Sequence, residues 1–174
     1  ANYLHHINKK KINLRNDLFD ICLISEPAIG QNFKFQKQSI EDGFANLAKY
    51  TIKFSQENNL KFIFASKRMK GTINFEEEIS FYKKYLNKKE ISYLLSNFNE
   101  KKDLYSSYRA MFQSKVAVAC QSTLLRDKIG LNQKILSCNL TNFKMYNFPI
   151  EGICTINNCN YKEYAERLKK ILDI

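Results

Sequence analysis

The stretch KVAVACQSTLLRDKIGLNQKILSCNL, residues 115–140, decides how the chain is read. An apolar run, KVAVAC (115–120), stops at Gln121-Ser122-Thr123. A short helical pattern over 122–130 follows, breaks near Gly130 and Asn132, and gives way to a second apolar run, QKILSCNL (133–140). Apolar runs this continuous, joined by a helix, mark parallel strands buried on both faces. The Gln-Ser-Thr cluster falls where the first strand hands over to the helix and is open to two readings. Ser122 can act as a plain N-cap. Alternatively, the free N–H groups at the helix start, aided by the helix dipole and two hydroxyls, can seat a phosphate.

The same alternation extends outward. FDICLIS (19–25), LKFIFAS (60–66), ISYLLS (91–96) and EGICTI (151–156) read as further strands, giving about six in all. Between them, 39–59, 75–88 and a segment from about 101 read as helices. NYKEYAERLKKILDI closes the chain as an amphipathic helix with Tyr161, Tyr164, Leu168, Ile171 and Leu172 on one side. In the first helix Ser39 is a candidate N-cap with Asp42 three residues on, and Phe44, Leu47, Ala48 and Ile52 share a face. In 75–88 an acidic first turn and a basic last turn suit the helix dipole. The expected architecture is a Rossmann-like three-layer α/β domain spanning 17–174, preceded by a basic lead-in over 1–16. Such sheets bind ligands beyond the carboxyl ends of their strands, here the loops 26–32, 67–74, 97–101, 121–123 and 141–150.

Composition narrows the classes. The 174 residues are 44% hydrophobic and 13% aromatic, enough for one substantial core. Neither an apolar run of about 18 residues nor an apolar signal core is present, so no spanning helix or secretory leader is expected. Four of the five cysteines (Cys22, Cys120, Cys138, Cys154) lie in apolar runs and read as buried thiols, while Cys159 lies in polar NNCN. That usage points to a reducing, cytoplasmic setting. The net charge of +11 suits nucleic acid, anionic lipid headgroups or phosphorylated small molecules. An Asn- and Lys-rich composition also arises from an AT-rich genome, so charge alone names no partner. Without an Arg-Gly repeat, zinc spacing or a basic heptad, nucleic acid ranks last. No acidic pair or His/Cys spacing calls for a metal, and no cofactor is expected.

The block VAVACQSTLLRDKIGLNQKIL resembles the nucleotide-sugar half of GT-B glycosyltransferases, in which a strand runs into Ser-Ser-Thr-Leu-x-x-Glu-Ala-x-x-x-Gly-Lys-x-Val. More loosely, 18–174 is similar to bacterial surface-carbohydrate biosynthesis proteins of that superfamily. The resemblance implies one half of a GT-B architecture and a role in surface polysaccharide or lipopolysaccharide biosynthesis. The donor diphosphate is then expected at the helix start. Gln121, Ser122 and Thr123 fall on that start, and Asp127 on the acid that holds the ribose. Asp127 is shorter than the usual Glu, Arg126 and Lys128 flank it, and Asn132 stands where a helix-ending Gly is common. Lys67 and Arg68 follow the second strand, where the family often places basic donor contacts, and Gly30 in the first loop lets backbone approach a phosphate. The implied partners are a nucleotide-sugar donor and a glycan or lipid-linked glycan acceptor, with peripheral association to an anionic inner membrane face left open. In this family the catalytic base usually lies on the other half, so no catalytic residue is expected here. Glu26 is a lone acid at a strand end, and His5 and His6 read as solvated. Two alternatives stay open: a nucleotide-sugar epimerase or hydrolase of the same superfamily, and a non-catalytic nucleotide-binding α/β module.

Overall fold

The computed structural model describes residues 17–27, 37–100, 103 and 105–174. The lead-in 1–16, with His5 and His6, and the candidate Gly30 lie outside them. In chain order the elements are β1 (Phe19–Ile24), α1 (Lys37–Glu57), β2 (Phe62–Ala65), α2 (Ile73–Tyr85) and α3 (Lys88–Ser96). Then come α4 (Ser106–Phe112), β3 (Ser114–Ala119), α5 (Thr123–Gly130), β4 (Ile135–Cys138), a 3-10 turn (Lys144–Tyr146), β5 (Thr155–Ile156) and α6 (Tyr161–Leu172). The strands form one all-parallel sheet in the order β2-β1-β3-β4-β5.

Alternation along each strand sorts its side chains to two faces. Ile21, Leu23, Phe64, Val116, Val118 and Leu136 pack with residues of α1, α2, α3 and α6. Cys22, Ile24, Ile63, Ala117, Ala119 and Ile135 pack with Met111 and Phe112 of α4 and Leu124 and Leu125 of α5. The helical faces follow the sequence pattern: Phe44, Leu47, Ala48 and Ile52 of α1 are buried, as are Tyr164, Leu168 and Ile171 of α6. Even the buried hydroxyls are matched, since Tyr164 donates to Thr51 at 2.8 Å and Thr51 donates to the Leu47 carbonyl at 2.7 Å.

The sheet has five strands rather than about six, and the difference lies at 91–96. ISYLLS forms the last six residues of α3, not a strand. Asn87 accepts the N–H groups of Lys89 and Glu90, while Glu90 accepts that of Asn87, so a capping box starts a helix there. Such a cap contributes about 1 kcal/mol. A strand at this place would sit at the sheet edge, and of these six residues only Leu94 is buried. What remains of a sixth strand is one parallel bridge: Phe64 donates to the Asn97 carbonyl and accepts from Asn99, both at 2.8 Å. With that rung counted beside β2, the order becomes the 3-2-1-4-5-6 of nucleotide-binding doubly wound sheets.

Two smaller expectations are corrected. Ser39 is not the cap of α1, because the helix already includes Lys37; its hydroxyl instead donates to the Thr141 carbonyl at 2.8 Å. Cys154 is half-buried rather than buried, because β5 contains only Thr155 and Ile156. The contact between α1 and residue 141 also explains Gly43. A Cβ there would lie 2.7–2.8 Å from Thr141 and the Leu140 backbone, closer than real atoms approach. Gly43→Ala is therefore expected to destabilise the fold by roughly 1–3 kcal/mol through overpacking, read as a lower urea midpoint at unchanged slope. An unchanged midpoint would mean that α1 is not seated on this loop. In native protein a thiol reagent should modify Cys159 first and Cys154 more slowly, with Cys22, Cys120 and Cys138 reacting only on unfolding.

Candidate functional site

From β1 the chain runs outward to β2 and returns on the other side of β1 as β3, so strand order reverses between β1 and β3. At such a point the two following loops diverge and leave a crevice at the carboxyl edge. Glu26 leaves β1 there, and Cys120, Gln121 and Ser122 leave β3. One oxygen of the Glu26 carboxylate accepts the N–H groups of Cys120 at 2.8 Å and Gln121 at 3.2 Å, and the Ser122 N–H also acts on it. Its other oxygen lies 3.8 Å from the Lys67 ammonium, and the side chain is only 8% exposed. Burial pushes the Glu26 carboxyl above its ordinary range, partly offset by Lys67 and then by the three N–H groups.

The turn between β3 and α5 therefore holds a carboxylate, and it is the protein's own. Ser122 stands at the N-cap position of α5 and is buried, yet its side chain makes no capping hydrogen bond. Glu26 instead serves the N–H groups of the turn that precedes α5, those of Cys120, Gln121 and Ser122.

A second acid lies close by. Glu78 of α2 is 1% exposed. One of its oxygens accepts from the Ser66 hydroxyl at 2.8 Å, and the other has no partner among the described residues. Ser66 in turn accepts the Arg68 N–H at 2.9 Å, which shapes the turn after β2. The Ser25 hydroxyl bonds the Tyr82 hydroxyl at 2.9 Å. Burial raises the Glu78 carboxyl, against the opposing pull of Ser25, Ser66, Arg68 and Lys67. Burial, with the charges of Glu78 and Glu26, also raises the Tyr82 phenol.

The sequence-named residues divide. Lys67, Gln121 and Ser122 meet at Glu26, and Arg68 is near enough to act on Glu78. Thr123 is exposed at the first position of α5. Asp127 is half-buried and faces α4, where, after burial, its charge is what raises the Tyr108 phenol. Lys128 is a structural tie: its ammonium, fully buried, donates to the carbonyls of Met111 and Ser114, both at 2.8 Å, and to Gln133 at 3.0 Å. Burial lowers its pKa to about 8. Asn132 adopts the left-handed conformation (φ 56°) expected of the residue in the helix-stopping position.

Sequence reasoning missed Glu78 and Asn139. Phe75, Glu78, Ile79 and Tyr82 stand at i, i+3, i+4 and i+7, so the helical spacing itself places Glu78 on the buried face. Its two acidic neighbours, Glu76 and Glu77, disguise it as part of a solvated first turn. Asn139 organises the 141–150 loop: its amide donates to Phe143 O at 2.7 Å and Asn147 at 2.6 Å, and its oxygen accepts from Thr141. An asparagine within an apolar run carries no local sign of that role.

Comparison with family models, with curated proteins and with solved structures finds no match to this chain. Among the described residues no group of His, Cys, Asp or Glu side chains is placed to hold a metal ion, and no helix is long and apolar enough to cross a membrane.

The raised Glu78 pKa has a signed consequence. Below about pH 4 the carboxyl is protonated in both states. As the pH rises the unfolded chain ionises first, so the native state binds more protons and loses stability through the interval between the two pKa values. Glu78→Gln removes that loss. Its urea midpoint relative to wild type should therefore shift in the variant's favour between pH 4 and pH 7, whatever the offset at pH 4. A difference independent of pH would show that Glu78 ionises as readily in the fold as in the unfolded chain.

Proposed function

We propose that this chain is the donor-binding domain of a glycosyltransferase of surface polysaccharide or lipopolysaccharide biosynthesis. It seats the diphosphate of a nucleotide sugar at the start of α5. One observation carries the reading: the N–H groups of Cys120, Gln121 and Ser122 converge on an oxyanion at the crevice where doubly wound sheets bind their ligands. A phosphate oxygen has the same requirements as the carboxylate oxygen now held there. Lys67 stands beside the seat to balance its charge, with Arg68 on the same turn, and Ser122 and Thr123 add hydroxyl donors. Ribose recognition by Asp127 requires that side chain to turn from Tyr108 toward the crevice.

The segments that follow β2 and β4, the first residue of α2 and the 3-10 turn included, carry Met69, Ile73, Met145 and Ile150, all large, apolar and exposed. Such residues suit a surface that meets a second body, in this reading the half that bears the catalytic base and acceptor site. The second reading is a nucleotide-sugar epimerase or hydrolase of the same superfamily. It is favoured by two buried acids of raised pKa, Glu26 and Glu78, since that chemistry needs an acid or base beside the donor. Turnover of a nucleotide sugar without an acceptor selects it over transfer, and binding with no turnover in any assembly selects a non-catalytic module.

Titration with uridine, cytidine and guanosine diphosphates tests the seat. Dissociation constants in the micromolar to millimolar range are expected, equivalent to about 4–8 kcal/mol. Ser122→Ala combined with Thr123→Ala should weaken binding by roughly 1–3 kcal/mol, from lost hydrogen bonds to a charged group. Because Ser122 makes no cap bond, the fold should lose under about 1 kcal/mol. Equal binding of all three nucleotides by both proteins would remove the reading's main support.

A further inference from the structure

The Cys120–Ser122 seat and Glu26 together have a property that neither has alone. The seat is a set of backbone N–H donors at a helix start, and it is filled. Ser122, 3% exposed and at the same place, brings a hydroxyl that makes no capping bond to α5. The Lys67 ammonium is 3.8 Å from Glu26, longer than a close ion pair, on a side chain that is 52% exposed. A phosphate oxygen and the Glu26 oxygen need the same N–H groups. Two anions cannot share them, because like charges in contact repel by several kcal/mol where burial lowers the dielectric.

We propose that Glu26 is an exchangeable internal anion, which fills the seat when no ligand is present and is expelled by an incoming phosphate or sulfate group. The proposal rests on the reading of this seat as the phosphate site. Three features of the molecule follow from it. The N–H groups stay satisfied in the empty state, so the crevice does not need ligand in order to fold. Glu26 sets affinity without contributing a favourable contact to the bound ligand. Anion binding is coupled to proton uptake, since a neutral Glu26 gives up the seat more easily than a charged one. Among the described residues, the charged and titratable groups that act on Glu26, or that it acts on, are Lys67 after β2, Tyr82 on α2 and Cys120 at the end of β3, with Glu78 of α2 in the same cluster. Of these only Glu78 is a second carboxyl group, and Glu78→Gln separates its titration from that of Glu26.

The test is a sulfate titration of the 15N-labelled full chain, followed at the amide resonances of Cys120, Gln121 and Ser122. Sulfate remains a dianion from pH 5 to pH 8, so any pH dependence belongs to the protein. Glu26→Gln should bind sulfate at least about tenfold more tightly than wild type at pH 7.5, the factor given by 1.4 kcal/mol. Wild type should gain affinity toward pH 5, the Glu78→Gln variant should do the same, and Glu26→Gln should stay flat. Glu26→Asp keeps the charge but draws it back by one methylene, and serves where Glu26→Gln does not fold; its affinity should lie between the two. Sulfate binding to wild type and the Glu26 variants with equal affinity at these amides overturns the proposal, as does a common pH profile or a response confined to surface lysines. If sulfate binds tightly to Glu26→Gln and nucleoside diphosphates do not, the exchange stands and the nucleotide reading falls. If nucleoside diphosphates bind wild type and Glu26→Gln equally, the reverse holds.

Discussion

The carboxyl edge of this sheet is organised around two peptide N–H groups, those of Cys120 and Gln121, which must find acceptors where β3 ends and α5 has not yet begun. Both go to one oxygen of Glu26, which arrives from β1 across the point where strand order reverses. The same peptide is held from behind, since the Ser137 hydroxyl of β4 donates to the Cys120 carbonyl. Three neighbouring strands are thereby joined at their ends by side-chain bonds as well as by the ladder. An unpaired buried N–H costs about 1–3 kcal/mol, so the alternatives to Glu26 at this spot are another anion or water.

Burying a carboxylate is itself unfavourable, and among the described residues Glu78 and the Glu26 side chain are both withdrawn from solvent. Glu26 is compensated by N–H groups and Lys67, whereas Glu78 has one hydroxyl donor on one oxygen and no partner on the other. The protein responds to both in the same direction, with the carboxyl pKa raised by burial. Lys128 shows how a buried charge is handled when it is only structural: three acceptors surround it and tie α4, β3 and the turn that leads into β4. Glu78, with one oxygen unpartnered among the described residues, contrasts with this fully satisfied lysine. Residual polar demand is what a ligand exploits.

Much of the fold was legible because burial on both faces leaves a plain trace in the chain. β1, β2 and β3 are apolar runs, and α1, α2 and α6 repeat their apolar residues at helical spacing. Where that trace shortens to six residues, as at ISYLLS, an apolar run cannot tell a strand from a helix. The Asn87–Glu90 box, a local signal, then decides for the helix. The candidate site was legible only as a place. Gln121 and Ser122 stand at the seat and Lys67 beside it, but Asp127 turns to α4 and Lys128 proves to be part of the core.

The sequence by itself determined that this is a parallel α/β domain with a polar break at residues 121–123, because hydrophobic period and helix-stop residues act over a few neighbours along the chain. Only the tertiary structure decided that the break is already occupied. Glu26 and Cys120 are 94 residues apart and meet because β1 and β3 pair side by side. Hydrogen bonds are satisfied by whatever acceptor the fold brings within about 3 Å, and that distance is set by strand order rather than by any spacing along the chain.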